Sequence, residues 1–337
     1  MTTCIPGAMK KAPGTCFFVL ISFYRRRELY CLKKILKQLI GAIPVLIGVI
    51  LVIFIMLRIV PGDPVTTMLG DHVNEQVIEK ITKEMGLDQP LYVQFFKYIW
   101  NALHGDFGTS YSYNRSVMDL IMESFPNTVK LAVLAALFAW GVGVVAGIVA
   151  AIHPNKFLDH LFMGTALIGV SMPVFMTALF LQYAFAFKLK IFPLSGMQGI
   201  KYYILPAVAL GWNSAGSIAR MTRSNLMAVM QEDYISTARA KGRGNGGTIL
   251  FHALRNSMLP VVTMMALQLS SMLSGAVITE SVFGIAGIGQ LAVNAIGSRD
   301  MPLLQGTVVF TTLIVIIGNL IADCLYSVLD PRIRKEV

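Results

Sequence analysis

Charge is what this sequence has least of. Charged residues make up 14% of its 337 positions, where a soluble domain carries about 25%. That shortage excludes a disordered chain and a basic nucleic-acid-binding protein. Cysteine is sparse as well. Cys4, Cys16, Cys31 and Cys324 are the full set, and no two form a Cys-x-x-Cys pair. A disulfide framework and a zinc ribbon are thereby excluded. No Gly-Lys dipeptide occurs, so a Walker-type phosphate loop is absent. His-Glu-x-x-His and a nucleophile elbow are missing too, and His72, His104, His153, His160 and His252 are dispersed. The sequence carries no legible catalytic site and predicts no bound metal or cofactor. A literal G-x-G-x-x-G stands at Gly242, Gly244 and Gly247. It follows a helical segment, whereas a dinucleotide site needs a strand before it, so it reads as a turn.

What is present is apolar. Hydrophobic residues reach 55% and mean hydropathy is +0.66. The net charge of +10 would suit a polyanion if the chain were soluble. Six uncharged runs give a different partner, the lipid bilayer. They cover residues 38–57, 131–152, 161–187, 202–219, 256–279 and 301–322. Each is about 18 residues or longer, enough for a helix to cross ~30 Å of hydrocarbon. A spanning backbone must satisfy its own hydrogen bonds, so these are helices. The predicted fold is an all-α membrane protein with six transmembrane helices.

The charges orient it. The N-terminal segment through Lys37 holds eight Lys/Arg against Glu28. The connection 220–255 holds Arg220, Arg223, Arg239, Lys241, Arg243 and Arg255 against Glu232 and Asp233. Arg332, Arg334 and Lys335 close the chain. With six spans all three segments share one side, which the positive-inside rule makes cytoplasmic. Both termini are expected there. The loop 59–129, with four Lys/Arg and nine Asp/Glu, is expected outside. Within it, residues 74–85 and 91–103 read as short amphipathic helices on the membrane surface. The second clusters Phe95, Phe96, Ile99 and Trp100. Residues 1–30 contain an apolar run of only nine, Cys16 to Tyr24, too short to span. They form an N-terminal extension ahead of a domain covering 31–337.

Some spans carry polar residues. Asn213, Ser214 and Ser217 lie in the fourth; Gln268, Ser270, Ser271 and Ser274 lie in the fifth. Gln268, Ser271 and Gly275 fall on one helical face. Such residues serve either interhelical packing or the lining of a permeation route, with Asn213, Ser217, Gln268, Ser271 and Gly275 as route candidates. Pro173 sits inside the third span, and Asp323 near the end of the sixth reads as a carboxylate at headgroup level near Arg332.

The connection between the fourth and fifth spans is the most informative stretch. It runs Arg220-Met-Thr-Arg-Ser-Asn-Leu, then Asp233-Tyr-Ile-Ser-Thr-Ala-Arg-Ala-Lys-Gly242, then His252-Ala-Leu-Arg-Asn-Ser-Met-Leu-Pro260. A short helix with small Thr237 and Ala238 can approach another surface closely. Tyr234 and Ala238 share a face, and Gly242 can end the helix in a left-handed conformation.

This stretch resembles the cytoplasmic "EAA" coupling loop of binding-protein-dependent ABC importers of the dipeptide/oligopeptide/nickel permease family. Val60-Pro-Gly-Asp-Pro64, Gly86-Leu-Asp-Gln-Pro90, Gly105-Asp-Phe-Gly108, Gly284 to Gln290, Asp323-Cys-Leu-Tyr326 and Asp330-Pro-Arg-Ile-Arg334 match in order. The resemblance runs from about Cys31 to Arg334. The motif's glutamate is missing: Ser236, Thr237 and Ala238 stand at its three positions, with Gly242 in place. The usual Ile-x-Leu-Pro ending is altered, with His252, Leu254 and Arg255 at those places.

The resemblance implies a type I ABC importer transmembrane domain in a prokaryotic plasma membrane. It implies a second homologous permease subunit, two cytoplasmic ATPase subunits and an extracytoplasmic substrate-binding protein as partners. ATP and Mg would be used by the ATPases and not by this chain, whose Tyr234, Ser236, Thr237, Ala238 and Gly242 would form the ATPase-coupling surface. Di- or oligopeptides are the expected cargo, with a nickel chelate as the alternative. A self-sufficient secondary transporter would need midplane ion-coupling residues, of which the spans offer few. A membrane-embedded enzyme is opposed by the lack of any nucleophile–base or metal cluster.

Overall fold

The computed structural model describes residues 38, 40–56, 89–242, 244–274 and 276–329, the side chains of 245 and 325–329 excepted. The N-terminal extension, the helix expected over residues 74–85, Gly275, Arg332 and the rest of the C-terminal tail lie outside the described residues.

Among the described residues the architecture is helical, with a single bridge between Thr109 and Ser116 as its one β contact. In chain order the helices are α1 (Ile40–Met56), α2 (Leu91–Leu103), α3 (Val117–Ile152), α4 (Phe157–Ser171) and α5 (Val174–Leu181). A π-helical stretch, Gln182–Lys188, continues α5. Then come α6 (Ile200–Met230), α7 (Asp233–Ala240), α8 (Leu254–Leu273), α9 (Val277–Phe283), α10 (Ile288–Gly297) and α11 (Met301–Leu329).

Three stretches are long and apolar enough to cross a membrane unaided: Val117–Ile152, Gly246–Leu273 and Met301–Cys324. Two bent pairs also qualify when taken together, α4 with α5 and α9 with α10. The chain is therefore an all-helical membrane protein; among the described residues three helices and two bent pairs qualify as spans, and the expected spans 161–187 and 256–279 are not continuous helices. Helix α6 has 31 residues yet falls short on apolarity. It is a central helix, packed on α3, α4, α5 and α8, and a helix shielded from lipid tolerates Asn213, Ser214 and Ser217.

The expected span 161–187 is broken. Proline disfavours helix in the residue before it, and Met172 is extended at φ −80°, ψ 129°. Beyond Pro173 the chain turns by 108°. The expected span 256–279 is interrupted too: α8 ends at Leu273, and Ala276 (φ −87°, ψ 59°) is not helical. Gly284 at φ +64° then ends α9, the Ile285 N–H reaches back to the Glu280 carbonyl at 2.9 Å, and α10 leaves at 83°.

Loop boundaries shift for the same local reasons. The last part of the expected loop 59–129 is the first three turns of α3, and the connection 220–255 begins with the last turns of α6. Helix α2 forms over the expected residues, but its aromatic cluster divides. Phe95, Tyr98 and Ile99 pack inward with Phe107, Leu120 and Ile121, whereas Tyr92, Phe96 and Trp100 are each 66% exposed.

The centre of the molecule is the α3–α6 pair. A methyl group at Gly143 would stand 2.8 Å from the Ala215 carbonyl oxygen, and one at Gly147 would stand 2.6 Å from that of Ala219. On the other helix, a methyl at Gly211 would lie 2.6 Å from the Ala135 carbonyl oxygen. Small residues four apart let two backbones meet, which is how helices associate where water supplies no driving force.

Gly147→Ala is accordingly expected to destabilise the protein by about 1–3 kcal/mol through overpacking. Gly141→Ala, which meets nothing within 4 Å, should fall within about 0.5 kcal/mol of wild type or gain slightly. Thermal unfolding in detergent measures both. Equal losses at the two positions would contradict this packing.

Candidate coupling surface and route

Helix α7 forms where the coupling helix is expected, with Asp233 in its first turn and Arg239 in its last, charges that complement the helix dipole. Thr237 Oγ1 donates to the Asp233 carbonyl at 3.0 Å. Gly242 follows at φ +80°, a left-handed position that a side chain would strain. What holds α7 in place is Ile235. It is fully buried in a cluster with Ala151, Leu226 and Ala253, from the ends of α3 and α6 and the turn before α8. A second tie is the Asn256 amide, which donates to the Tyr234 hydroxyl at 2.9 Å.

The opposite side of α7 is open. Tyr234, Ser236 and Thr237 are exposed and Ala238 is half-buried. Small side chains on an exposed short helix leave its backbone accessible, as a docking knob requires. In the glycine-rich segment Gly242 lies in a turn and Gly244 precedes a short helical stretch, Asn245–Thr248, and among the described residues it follows helix α7 and not a strand.

The route candidates sit on two adjacent helices. Helices α6 and α8 meet through Ala215, Ile218 and Met221 against Met258, Val261 and Met265. Ser217 and Gln268 are half-buried, and Ser271 is exposed at the end of α8. Gln268 Oε1 is buried with no hydrogen-bond partner among the described residues. Asn213 has a different task. Its amide donates to the Gly169 and Val170 carbonyls at 3.4 and 3.2 Å, which the break at Pro173 leaves without helical partners. Gly275 lies outside the described residues.

Comparison with known proteins places this geometry. Residues 143–335 match the model of the binding-protein-dependent transport system inner membrane component, and residues 31–132 match the corresponding N-terminal model. The chain belongs to this family. It is 41% identical over 305 residues to the glutathione transport system permease protein GsiC of Shigella flexneri, covering 90% of this chain and all of that one. The Escherichia coli K12 protein of the same name is 40% identical over the same length. In fold it is similar to the MetNI methionine ABC transporter in its inward-facing conformation, with a TM-score of 0.54 at 16% identity over 63% of this chain and 97% of that one. The chain is thus a permease subunit of an ABC importer and not an enzyme; ATP hydrolysis belongs to a partner subunit.

Several residues that shape the permease escaped the sequence reading. Ile235 had a signal, being the one large aliphatic residue in Asp233–Ala240. Arg223 was counted only as a positive charge. It in fact makes a two-pronged contact with Asp159 of α4, Nε to Oδ1 and Nη2 to Oδ2, both at 2.6 Å. The Asp159 side chain is 3% exposed and also accepts from the Asn155 N–H at 2.9 Å. Nothing local in sequence links positions 159 and 223. Asp323 accepts from the Gln38 amide and joins α11 to the start of α1; Arg332, expected beside it, lies outside the described residues.

Ala238→Arg and Gly242→Asp are each expected to lower uptake by the importer at least tenfold while permease remains in the membrane. The first adds bulk and charge to the knob; the second strains the turn that ends it. Immunodetection with a transport assay measures both. Normal uptake in either variant would place the coupling surface elsewhere.

Proposed function

We propose that this permease forms half of the route of an ATP-driven importer for di- and oligopeptides. The reading rests on the chemistry of the candidate route: Ser217, Gln268 and Ser271 offer a neutral amide and hydroxyls. Among the described residues, no three His, Cys, Asp or Glu converge where they could hold a metal ion. A bare divalent nickel ion would need imidazole or carboxylate ligands, whereas a short peptide needs room and neutral hydrogen-bonding groups. The relatives named for glutathione transport support the same class, since glutathione is a tripeptide.

In this reading both termini and α7 face the cytoplasm, where Arg220, Arg223, Arg239, Lys241, Arg243 and Arg255 cluster. Tyr234, Ser236, Thr237, Ala238 and Gly242 contact an ATPase subunit, a second permease supplies the other half of the route, and a binding protein delivers substrate from outside. Nucleotide-driven closure of the ATPases displaces α7, and Ile235 passes that displacement to the ends of α3 and α6. The chain itself needs neither ATP nor Mg.

Uptake of labelled di- to pentapeptides and of radioactive nickel, compared with and without the gene, tests the cargo. Peptide uptake should be lost and nickel uptake unchanged; the reverse result would replace the peptide reading with a nickel one. The purified subunit alone is expected to show no ATP hydrolysis above background, because no phosphate loop is present. Turnover that survives removal of contaminating ATPases would contradict the division of labour.

A further inference from the structure

Glu280 has no surface exposure and stands between Thr279 and Ser281 in α9. Among the described residues it forms no ion pair. Backbone and hydroxyl groups hold it instead. Thr128 Oγ1 of α3 donates to Oε1 at 2.8 Å, and the Gln290 N–H donates to Oε2 at 3.0 Å, with the Gly289 N–H bonding beside it. Thr128 Oγ1 also accepts from the Ile288 N–H at 2.9 Å. Glu280 and Thr128 therefore take up the free N–H groups in the first turn of α10, where the helix dipole favours a negative charge.

The cradle is shaped to admit this one carboxylate. A methyl group at Gly289 would stand 2.8 Å from Glu280 Oε2 and 2.6 Å from Val277 Cα, and one at Gly287 would overlap the carboxylate. Other contacts pin the same α9–α10 hairpin. The Asn127 amide donates to the Ala286 carbonyl at 3.0 Å, the Gln182 amide to that of Val282 at 3.1 Å, and the Gly196 N–H to that of Phe283 at 3.2 Å. Phe283, Ile285 and Ile288 are buried, but apolar burial is non-directional. The carboxylate clamp is the directional contact that joins the last turn of α9, the first turn of α10 and Thr128 of α3 in one place.

That meeting point is far from α7. Thr128 lies a third of the way along α3, and Ala151, which packs with Ile235, lies in its last turn. At 1.5 Å per residue they are about 35 Å apart. One helix thus carries the coupling knob at its C-terminal end and the hairpin in its N-terminal third, and between them Gly143 and Gly147 of α3 and Gly211 of α6 leave no room for a methyl group where α3 meets α6.

We propose that Glu280 is a positioning residue for transport: through Thr128 it locks the α9–α10 hairpin onto the N-terminal third of α3, so that displacement imparted at α7 moves hairpin and α3–α6 pair as one body and gates the route beside the hairpin. The role is independent of which solute passes.

The test uses membrane vesicles containing the whole importer, with Glu280→Gln, Thr128→Val and Thr128→Ser in the permease. Hydrogen–deuterium exchange of amides 285–292 is followed by mass spectrometry, with and without ATP plus vanadate. ATP hydrolysis, ATP-driven uptake of labelled glutathione and the permease level are measured in parallel. In wild type the hairpin amides should respond to nucleotide. In Glu280→Gln and Thr128→Val they should exchange at least tenfold faster and no longer respond. Uptake should fall at least tenfold while ATP hydrolysis continues, and Thr128→Ser should retain wild-type behaviour. If Glu280→Gln fails to accumulate, the valine–serine pair at position 128 decides. Hairpin exchange within twofold of wild type in Glu280→Gln or Thr128→Val, or equal defects in Thr128→Ser and Thr128→Val, would overturn the proposal. A wild type that takes up no glutathione counts against that cargo only, because the exchange arm still decides the role of Glu280.

Discussion

A backbone group in hydrocarbon has no water to bond, so each place where a membrane helix breaks must be repaired by the protein itself. That constraint explains where this permease places its buried polar side chains. Asn213 serves the carbonyls left by the break at Pro173. Glu280 and Thr128 serve the N–H groups that open α10. Asp300, fully buried, accepts from the Leu303 N–H at 3.2 Å at the start of α11, and from Ser110 Oγ at 2.5 Å and the Ser112 N–H at 2.9 Å. In each case a polar group that would be costly in an apolar setting stabilises a helix end that would otherwise be unsatisfied.

The breaks are useful because something between them does not break. Helix α3 runs for 36 residues, roughly 54 Å, with Pro126 near its start and no interruption. Its partner α6 is pressed against it through Gly143, Gly147 and Gly211 with no room for a methyl group. Interiors packed this tightly transmit displacement instead of absorbing it. The bent segments α4–α5 and α9–α10 are then attachments on a stiff core. Arg223 and Asp159 fasten the first near the α7 end, and Glu280 and Thr128 fasten the second in the N-terminal third of α3.

Much of this was legible in the sequence, and the failures have a common cause. Apolar runs locate helices because lipid demands them, and small residues flanked by Asp233 and Gly242 located α7. Run length, however, does not report direction. Residues 161–187 are uncharged throughout, yet Met172 and Pro173 turn the chain by 108°, and Pro173 alone did not say how far, since membrane helices often pass through proline, as α3, α6 and α8 do at Pro126, Pro206 and Pro260. A single charge between apolar runs reads as the edge of a span. The uncharged run 256–279 stops short of Glu280 for that reason, although Glu280 lies at the centre of a buried joint. Pairs such as Asp159 with Arg223 and Gln38 with Asp323 join residues distant in sequence, so no local pattern could announce them.

The distribution of charge carries a last consequence for mechanism. Asp159, Glu280 and Asp300 each stand at or beside the start of a helix, and Asp323 faces the start of another. Their carboxylates are engaged by an arginine, by backbone N–H groups or by side-chain amides and hydroxyls. The stretch of α6 and α8 that carries Ser217 and Gln268 holds no charged side chain between Arg220 on one helix and Arg255 on the other. A transporter driven by an ion gradient needs ionisable or ion-coordinating groups beside its substrate. This permease instead commits its buried carboxylates to holding helices at fixed angles, which suits a subunit of an importer in which ATP hydrolysis belongs to a partner.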